Sequence, residues 1–283
     1  MVTDSLSPFQ TKALSRRLQE RAARIQSWLC VGLDPDPDQM PADIPRSAAG
    51  LVEFCERIVV ATSPHAVCFK INFGFFESFG VAGWQALAET RQLIPPAIPV
   101  IADAKRGDIA NTARGYARGI FEELGFDAVT ISPYLGWDSI EPFLGYRGRC
   151  VLVLTRTSNP GAADLQELRL QGEQLYLHVA RRSLQLRGEA EVGLVVGATA
   201  PEAVRAVRRL SQDALLLIPG VGAQGATIEV AMAAGASAAG LNALINVSRD
   251  ILYAANGTEF AAAAAGAAAR LAAETWNAIA PAS

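Results

Sequence analysis

The sequence predicts an α/β fold: a closed (β/α)8 barrel with an extra helix at its N-terminus. Three observations lead there. Its 283 residues are the usual length of one such barrel rather than of two smaller domains. Eight short apolar runs alternate with longer segments of helical periodicity, which implies parallel strands joined by right-handed crossovers. Several of those runs end in charged or polar residues, and the C-terminal ends of the strands are where this architecture, the TIM barrel, carries its chemistry.

Taken in order, the chain opens with a helical pattern over about Pro8–Gln26, placed to cover the bottom of the barrel. The strand candidates are Trp28–Leu33, Ala66–Ile71, Pro99–Lys105, Ala128–Ser132, Cys150–Thr155, Val192–Gly197, Leu215–Pro219 and Ser237–Leu241. Each is a short apolar run, as expected of strands buried on both faces. Between them, helical periodicity covers Ala48–Ala61, Phe75–Leu93, Ile109–Leu124, Ser139–Leu144, Gln166–Leu186, Pro201–Leu210 and Thr227–Ala234. A helical stretch Arg249–Ala255 follows the last strand, and then an alanine-rich tract from Phe260 to Arg270, a strong helix former. No linker rich in Pro, Gly or Ser divides the chain. One domain is expected: an N-terminal extension over 1–27, the barrel core over 28–254 and a C-terminal helix over 255–283.

Composition narrows the function. Half of the residues are hydrophobic, 19% are charged and the formal net charge is −3, so there is no electrostatic footprint for nucleic acid or for a membrane surface. A phosphate-bearing substrate would have to be met by local donors. The N-terminus lacks the apolar core of a secretory signal, and no run reaches the length of a membrane span. Cys30, Cys55, Cys68 and Cys150 are scattered, without the close pairs of a zinc site, and read as buried free thiols. A reducing cytoplasm is the expected compartment. His65 precedes a strand and His178 lies within a helical segment, so neither is a candidate for catalysis.

The polar residues at the strand ends are the candidate site. The first run ends at Asp34, the second at Lys70 and Asn72, and the third carries Asp103, Lys105 and then Asp108. The fifth closes with Ser158, and the eighth leads into Asn246, Ser248 and Arg249. On the third strand Ile101, Asp103 and Lys105 share one face. Turned outward, the two charges would be buried against helices; turned to the mouth, they can pair with each other and with a ligand. A single Asp-x-Lys is usually a solvated pair, and Asp108 ahead of IANTAR could be a helix N-cap. The coincidence of polar ends on several strands outweighs both. After the seventh strand the turn PGVGAQG, with Pro219, Gly220, Gly222 and Gln224, lets the backbone approach an anion, and phosphate sites in barrels are often built after strands seven and eight. Arg249 there offers a planar fork for phosphate oxygens.

These residues resemble one family closely. The run DAKRGDIANT, Asp103–Thr112, looks like the D-x-K-x-x-D-I signature of the orotidine 5′-phosphate decarboxylases, and Arg106 and Gly107 resemble its longer bacterial branch, type 2. Other matches stand in the family's order: CVGLDPDP at Cys30–Pro37, FKINFGFFE at Phe69–Glu77, LTRTSNPG at Leu154–Gly161, VVGAT at Val195–Thr199, PGVGAQG at Pro219–Gly225 and INVSRDILYA at Ile245–Ala254. Two positions depart from short-branch members: Ala110 stands where proline is common, and Ser248 where glycine is.

The resemblance implies that Asp34 holds a ribose and that Lys70, Asp103 and Lys105 form an alternating charged network under a pyrimidine. Asp108 and Thr112 would reach in from a partner subunit, which implies a homodimer with shared sites. Ser158 would read the pyrimidine edge, and Gln224 with Arg249 would hold the phosphate; Asn72, Pro219, Gly220, Gly222 and Ser248 would complete the binding surface. No cofactor or metal is expected, because no pyridoxal or thiamine motif is present and the lysine–carboxylate array would act electrostatically. Two rivals remain open: a magnesium-dependent sugar-phosphate enzyme of the same superfamily, which usually has an acidic residue at the position of Lys70, and a silent nucleotide-binding barrel.

Overall fold

A computed structural model describes residues 12–222, 225–236 and 242–278. Eight parallel strands follow one another around a closed barrel: β1 Leu29–Leu33, β2 Cys68–Asn72, β3 Val100–Arg106, β4 Ala128–Ile131, β5 Cys150–Arg156, β6 Glu191–Val196, β7 Leu216–Pro219 and β8 Ala243–Val247. Neighbours in sequence are neighbours in the sheet, and β8 returns to β1 with Leu29 opposite Ile245. All five residues of β1 and all four of β4 are buried, as expected of strands covered outside by helices and filled inside by side chains.

The helices keep most of the expected positions and break where local chemistry requires it. Ala48–Thr62 (α2) is capped by Ser47, whose side chain accepts the Gly50 N–H. The expected helix Phe75–Leu93 divides into α3 (Phe73–Glu77) and α4 (Gly80–Leu93) at Gly80, which sits at φ 59°. Ala110–Arg118 (α5) runs on into a π turn, Gly119–Glu123. No helix forms over Ser139–Leu144: short 3-10 turns at Pro133–Leu135, Trp137–Ser139 and Glu141–Phe143 replace it. Pro133 and Pro142 supply no backbone N–H, and each opens or interrupts a turn there.

The segment Gln166–Leu186 differs most. A short helix α6 (Ala162–Leu165) leads to a hairpin pairing Arg169–Leu170 with Glu173–Gln174, and only then comes α7 (Leu175–Ser183). Gln171 and Gly172, at φ 53° and 87°, form the two-residue positive-φ turn that suits such a hairpin. Further on, α8 (Pro201–Leu210) has the expected bounds, and α9 (Ile228–Gly235) is capped by Thr227. The helical stretch after β8 is shorter than expected, α10 (Arg249–Leu252), and α11 (Phe260–Asn277) contains the alanine tract.

The expected eighth strand, Ser237–Leu241, lies outside the described residues, and the strand that closes the barrel is Ala243–Val247. The closing strand accords with β propensity, since ALINV carries Ile245 and Val247.

The N-terminal helix α1 (Leu14–Ile25) covers the bottom of the barrel. Leu14, Leu18 and Ala22 share its buried face with Arg17 and Arg21. Its polar side chains reach the starts of five strands. Ser15 bonds Glu191 at β6 through backbone N–H and hydroxyl. Gln19 bonds Asn242 ahead of β8, and Arg21 donates to the carbonyl of Ala66 ahead of β2. Arg17 pairs with Asp127 at 2.8 Å and donates to the Gly148 carbonyl before β5. The Asp127 carboxylate also pairs with Arg149 at 3.1 Å and accepts the Val100 N–H at 2.9 Å. Arg17, Asp127 and Arg149 are all buried. Replacing Asp127 with Asn leaves two buried guanidinium groups short of their counter-charge. The expected cost is about 3–5 kcal/mol, read as a lower denaturant midpoint; an unchanged midpoint would contradict the assignment of this network as a structural clamp.

Candidate active site

At the opposite end, the strands' C-termini surround a cavity of about 420 Å³. One wall comes from β1 to β3. Lys70 on β2 is 3% exposed, and a buried ammonium is costly unless it is paired. It is paired twice, with Asp103 Oδ2 at 2.8 Å and Asp34 Oδ1 at 3.4 Å. Lys105 Nζ meets the other oxygen, Asp103 Oδ1, at 2.6 Å, and its side chain is 51% exposed at the mouth. The order of charges is therefore Asp34, Lys70, Asp103, Lys105.

Burial works against the charge on Lys70, but Asp103 and Asp34 outweigh it and hold the ammonium above the ordinary lysine pKa. Burial likewise works against ionised Asp103, and Lys70 with Lys105 reverses it, holding the carboxyl well below the usual carboxylate range. The pair is charged at neutral pH.

Backbone irregularity places the last lysine. Along β3, Ala102 is opposite Val129 but Arg106 is opposite Ile131, so four steps on β3 match two on β4. Lys105 lies within this bulge at φ 45°. Its N–H is accepted by the Thr130 hydroxyl at 2.9 Å, and that hydroxyl lies 3.1 Å from Asp103 Oδ1. Asp34 is steadied from behind by Tyr253, whose hydroxyl donates to the Asp34 carbonyl and accepts the Asp36 N–H.

The facing wall holds Ser158, Pro219, Gly220, Ser248 and Arg249. Ser158 is set by its neighbours: Gln166 accepts the Thr157 N–H at 2.8 Å and donates to the Thr157 hydroxyl, and Thr199 donates to the Ser158 carbonyl. Gly197 permits this approach, since a Cβ there would fall 2.7 Å from the Ser158 backbone. The cavity thus unites ten expected residues: Asp34, Lys70, Asn72, Asp103, Lys105 and the five just named. Asn72 doubles as the cap of α3 by accepting the Gly74 N–H.

Asp108, Thr112 and Gly222 do not line the cavity, and Gln224 lies outside the described residues. Asp108 is also not the helix cap that its position suggests. The cap position of α5 is Ile109, Ala110 follows at φ 46°, and the Asp108 carboxylate accepts only the adjacent Ile109 N–H. The backbone reversal at Ala110 leaves Asp108 one residue too early to reach the helix N-terminus. That same φ is closed to proline, which accounts for Ala110 departing from the short-branch pattern.

Sequence reasoning missed Thr130, Thr157, Asn159 and Asp250, all of which line the cavity, and left Asn246 unassigned. Thr130 is a hydroxyl between Val129 and Ile131 in the middle of an apolar strand run, a usable signal. Cys30, Cys55, Cys68 and Cys150 are buried free thiols. Among the described residues no group of three His, Cys, Asp or Glu is placed to hold a metal ion, and no helix is long and apolar enough to cross a membrane.

A parallel α/β barrel with a lysine–carboxylate array in a cavity at its strand C-termini has the form of an enzyme that acts on a small molecule. Comparison with known proteins narrows the class. The model of the "Orotidine 5'-phosphate decarboxylase / HUMPS family" matches residues 27–264. The chain is 50% identical over 252 residues to the orotidine 5′-phosphate decarboxylase of Roseiflexus sp., covering 88% of this chain and 92% of that one. It is 49% identical over 258 residues to that of Thermomicrobium roseum, covering 90% and 92%. The solved OMP decarboxylase of Leishmania donovani superposes with a TM-score of 0.83 at 41% identity, covering 94% of this chain and 98% of that one. The chain belongs to the orotidine 5′-phosphate decarboxylase / HUMPS family.

The Asp103 pairing has a pH signature. Because its folded pKa is depressed, its contribution is complete above the unfolded value of about 3.9 and is lost as pH falls through the folded one. The stability gap between wild type and Asp103→Asn, measured by denaturant unfolding, is expected to be flat from pH 7 to pH 5. Below about pH 3.9 it should narrow by about 1.4 kcal/mol per pH unit. A gap that stays constant to pH 3 would contradict the charged pairing.

Proposed function

We propose that the chain converts orotidine 5′-monophosphate to uridine 5′-monophosphate, with Lys105 as the proton donor to C6. The observation that carries this reading is the alternation Asp34–Lys70–Asp103–Lys105 at the mouth of the barrel, with Lys70 and Asp103 buried at its centre. Breaking the bond from C6 to the carboxylate leaves its electron pair on an sp² carbon with no simple route for delocalisation. A fixed ammonium beside that carbon stabilises the developing charge and then supplies the proton. Asp103, held ionised, lies beside the departing carboxylate and disfavours its bound state. Lys70 keeps Asp103 charged and aligned. The scheme asks for no electron-sink cofactor.

The remaining wall supplies grip away from the reacting carbon. In this reading Asp34 and Asn72 hold the ribose side and Ser158 reads the pyrimidine edge. Pro219, Gly220, Gly222, Gln224, Ser248 and Arg249 surround the phosphate. Asp108 and Thr112 serve the site of a second copy across a homodimer interface. That assignment is supported by their place outside their own chain's cavity and by the exposed apolar side chain of Ile109 beside Asp108. A cytoplasmic location accords with the four buried free thiols.

The family description also covers the sugar-phosphate branch. Lys70 favours the nucleotide reading, because its ammonium already pairs with both Asp34 and Asp103. The deciding experiment follows the ultraviolet absorbance of orotidine 5′-monophosphate with purified protein in excess chelator. Conversion is expected in wild type, and Lys105→Ala should lower kcat by at least about 10³-fold while remaining folded. Near-normal turnover by the variant would remove Lys105 from the mechanism, and a magnesium requirement would move the chain to the sugar-phosphate branch.

Shared sites are tested by mixing Lys105→Ala with Asp108→Asn, each inactive alone. Hybrid dimers hold one site with both native residues, so activity should reappear on mixing; no recovery in mixed dimers would confine each site to one chain.

A further inference from the structure

Lys105 must aim its ammonium at one carbon, yet its side chain is half exposed and sits on a backbone bulge at φ 45°. A left-handed conformation is unfavourable for a residue with a Cβ, and it persists only where neighbours impose it. The neighbour here is Thr130. It is 1% exposed on β4, between residues that pair in register with β5, and its branched side chain has few rotamers. It is therefore a rigid post beside a bulge.

Its hydroxyl closes a ring. The Lys105 N–H donates to Thr130 Oγ1 at 2.9 Å, and Oγ1 lies 3.1 Å from Asp103 Oδ1, which in turn accepts from Lys105 Nζ at 2.6 Å. A second acceptor for the hydroxyl proton, the Ala102 carbonyl, is farther at 3.5 Å. Asp103 is a charged acceptor and the stronger partner. One hydroxyl thus binds both ends of Lys105: the backbone directly, and the ammonium through the shared carboxylate oxygen.

We propose that Thr130 is a positioning residue for the decarboxylation, its hydroxyl fixing the β3 bulge so that the Lys105 ammonium and Asp103 stay in one geometry; this rests on Lys105 being the proton donor. Among the described residues the hydroxyl of Thr130 bonds Lys105, Asp103 and Ala102 and none of the ribose or phosphate grips named above, so its loss falls on the chemical step rather than on binding. Valine keeps the shape and removes the hydroxyl, and serine keeps the hydroxyl and removes the methyl.

The test compares wild type, Thr130→Val, Thr130→Ser and Thr130→Ala in steady-state decarboxylation, in calorimetric binding of uridine 5′-monophosphate and in thermal unfolding. Thr130→Val should lower kcat about tenfold or more, the size of a lost hydrogen bond to a charged group. KM and product affinity should stay within about threefold, and Thr130→Ser should retain kcat within about threefold. If the valine variant does not fold, Thr130→Ala is read by the same criteria. A hydroxyl-free variant with near-wild-type kcat, a serine variant that loses as much as valine, or a loss confined to KM would overturn the proposal. An inactive wild type would instead remove the decarboxylase reading itself.

Discussion

A carboxylate taken out of water stays ionised only where positive charge and hydrogen-bond donors replace the solvent. Asp103 meets that condition at the inner edge of the cavity, and much of the barrel's mouth is arranged around it. Lys70 occupies one oxygen from β2 and Lys105 the other from the end of its own strand, with the Thr130 hydroxyl beside the second. Lys70 and Asp103 depend on each other: without Asp103, Lys70 keeps only its longer pairing with Asp34, and without Lys70, Asp103 loses one of its two ammonium partners. Their mutual dependence links three strands to one another. In the proposed reaction this is preorganisation, the charges being set before charge develops on the substrate.

The two ends of the barrel use the same physics for different purposes. At the bottom, Asp127 is enclosed by Arg17, Arg149 and the Val100 N–H. That network ties α1 to the sheet at the end opposite the cavity. At the top, Lys105 remains half exposed, so part of its charge is directed at whatever enters. Buried charge that is satisfied within the chain stabilises, and buried charge left partly unsatisfied is available for chemistry. Separating the two across the barrel's length lets strain at the mouth, such as the positive φ of Lys105 and Ala110, coexist with a rigid base.

Much of this was legible in the residues because strand alternation and charge burial constrain each other. The face shared by Asp103 and Lys105, and the appearance of Asp34, Lys70, Ser158 and Arg249 at the ends of other strands, located the cavity before any coordinates. What escaped was local geometry. A run such as Gln166–Leu186 has helical periodicity, and only the Gln171–Gly172 turn shows that part of it is a hairpin. Ser237–Leu241 and Ala243–Val247 are adjacent apolar runs that hydropathy does not separate. Asp108 has the right side chain for a cap but stands one residue too early, because Ala110 reverses the backbone. Periodicity reports which face is buried; it carries no information on a bulge, where the count of residues per face changes.

The bulge on β3 bears on which sequence changes this site can absorb during divergence. Between Ala102 and Arg106 the strand holds more residues than its neighbour β4, so the spacing from Asp103 to Lys105 depends on chain length there as much as on side-chain identity. Insertions and deletions are usually tolerated in loops and excluded from strands; here a strand end inherits the stricter rule while being shaped like a loop. Lineages descending from such a barrel are free to lengthen the segment after β5, where the hairpin already stands outside the sheet, but not the short stretch that joins Asp103 to Lys105.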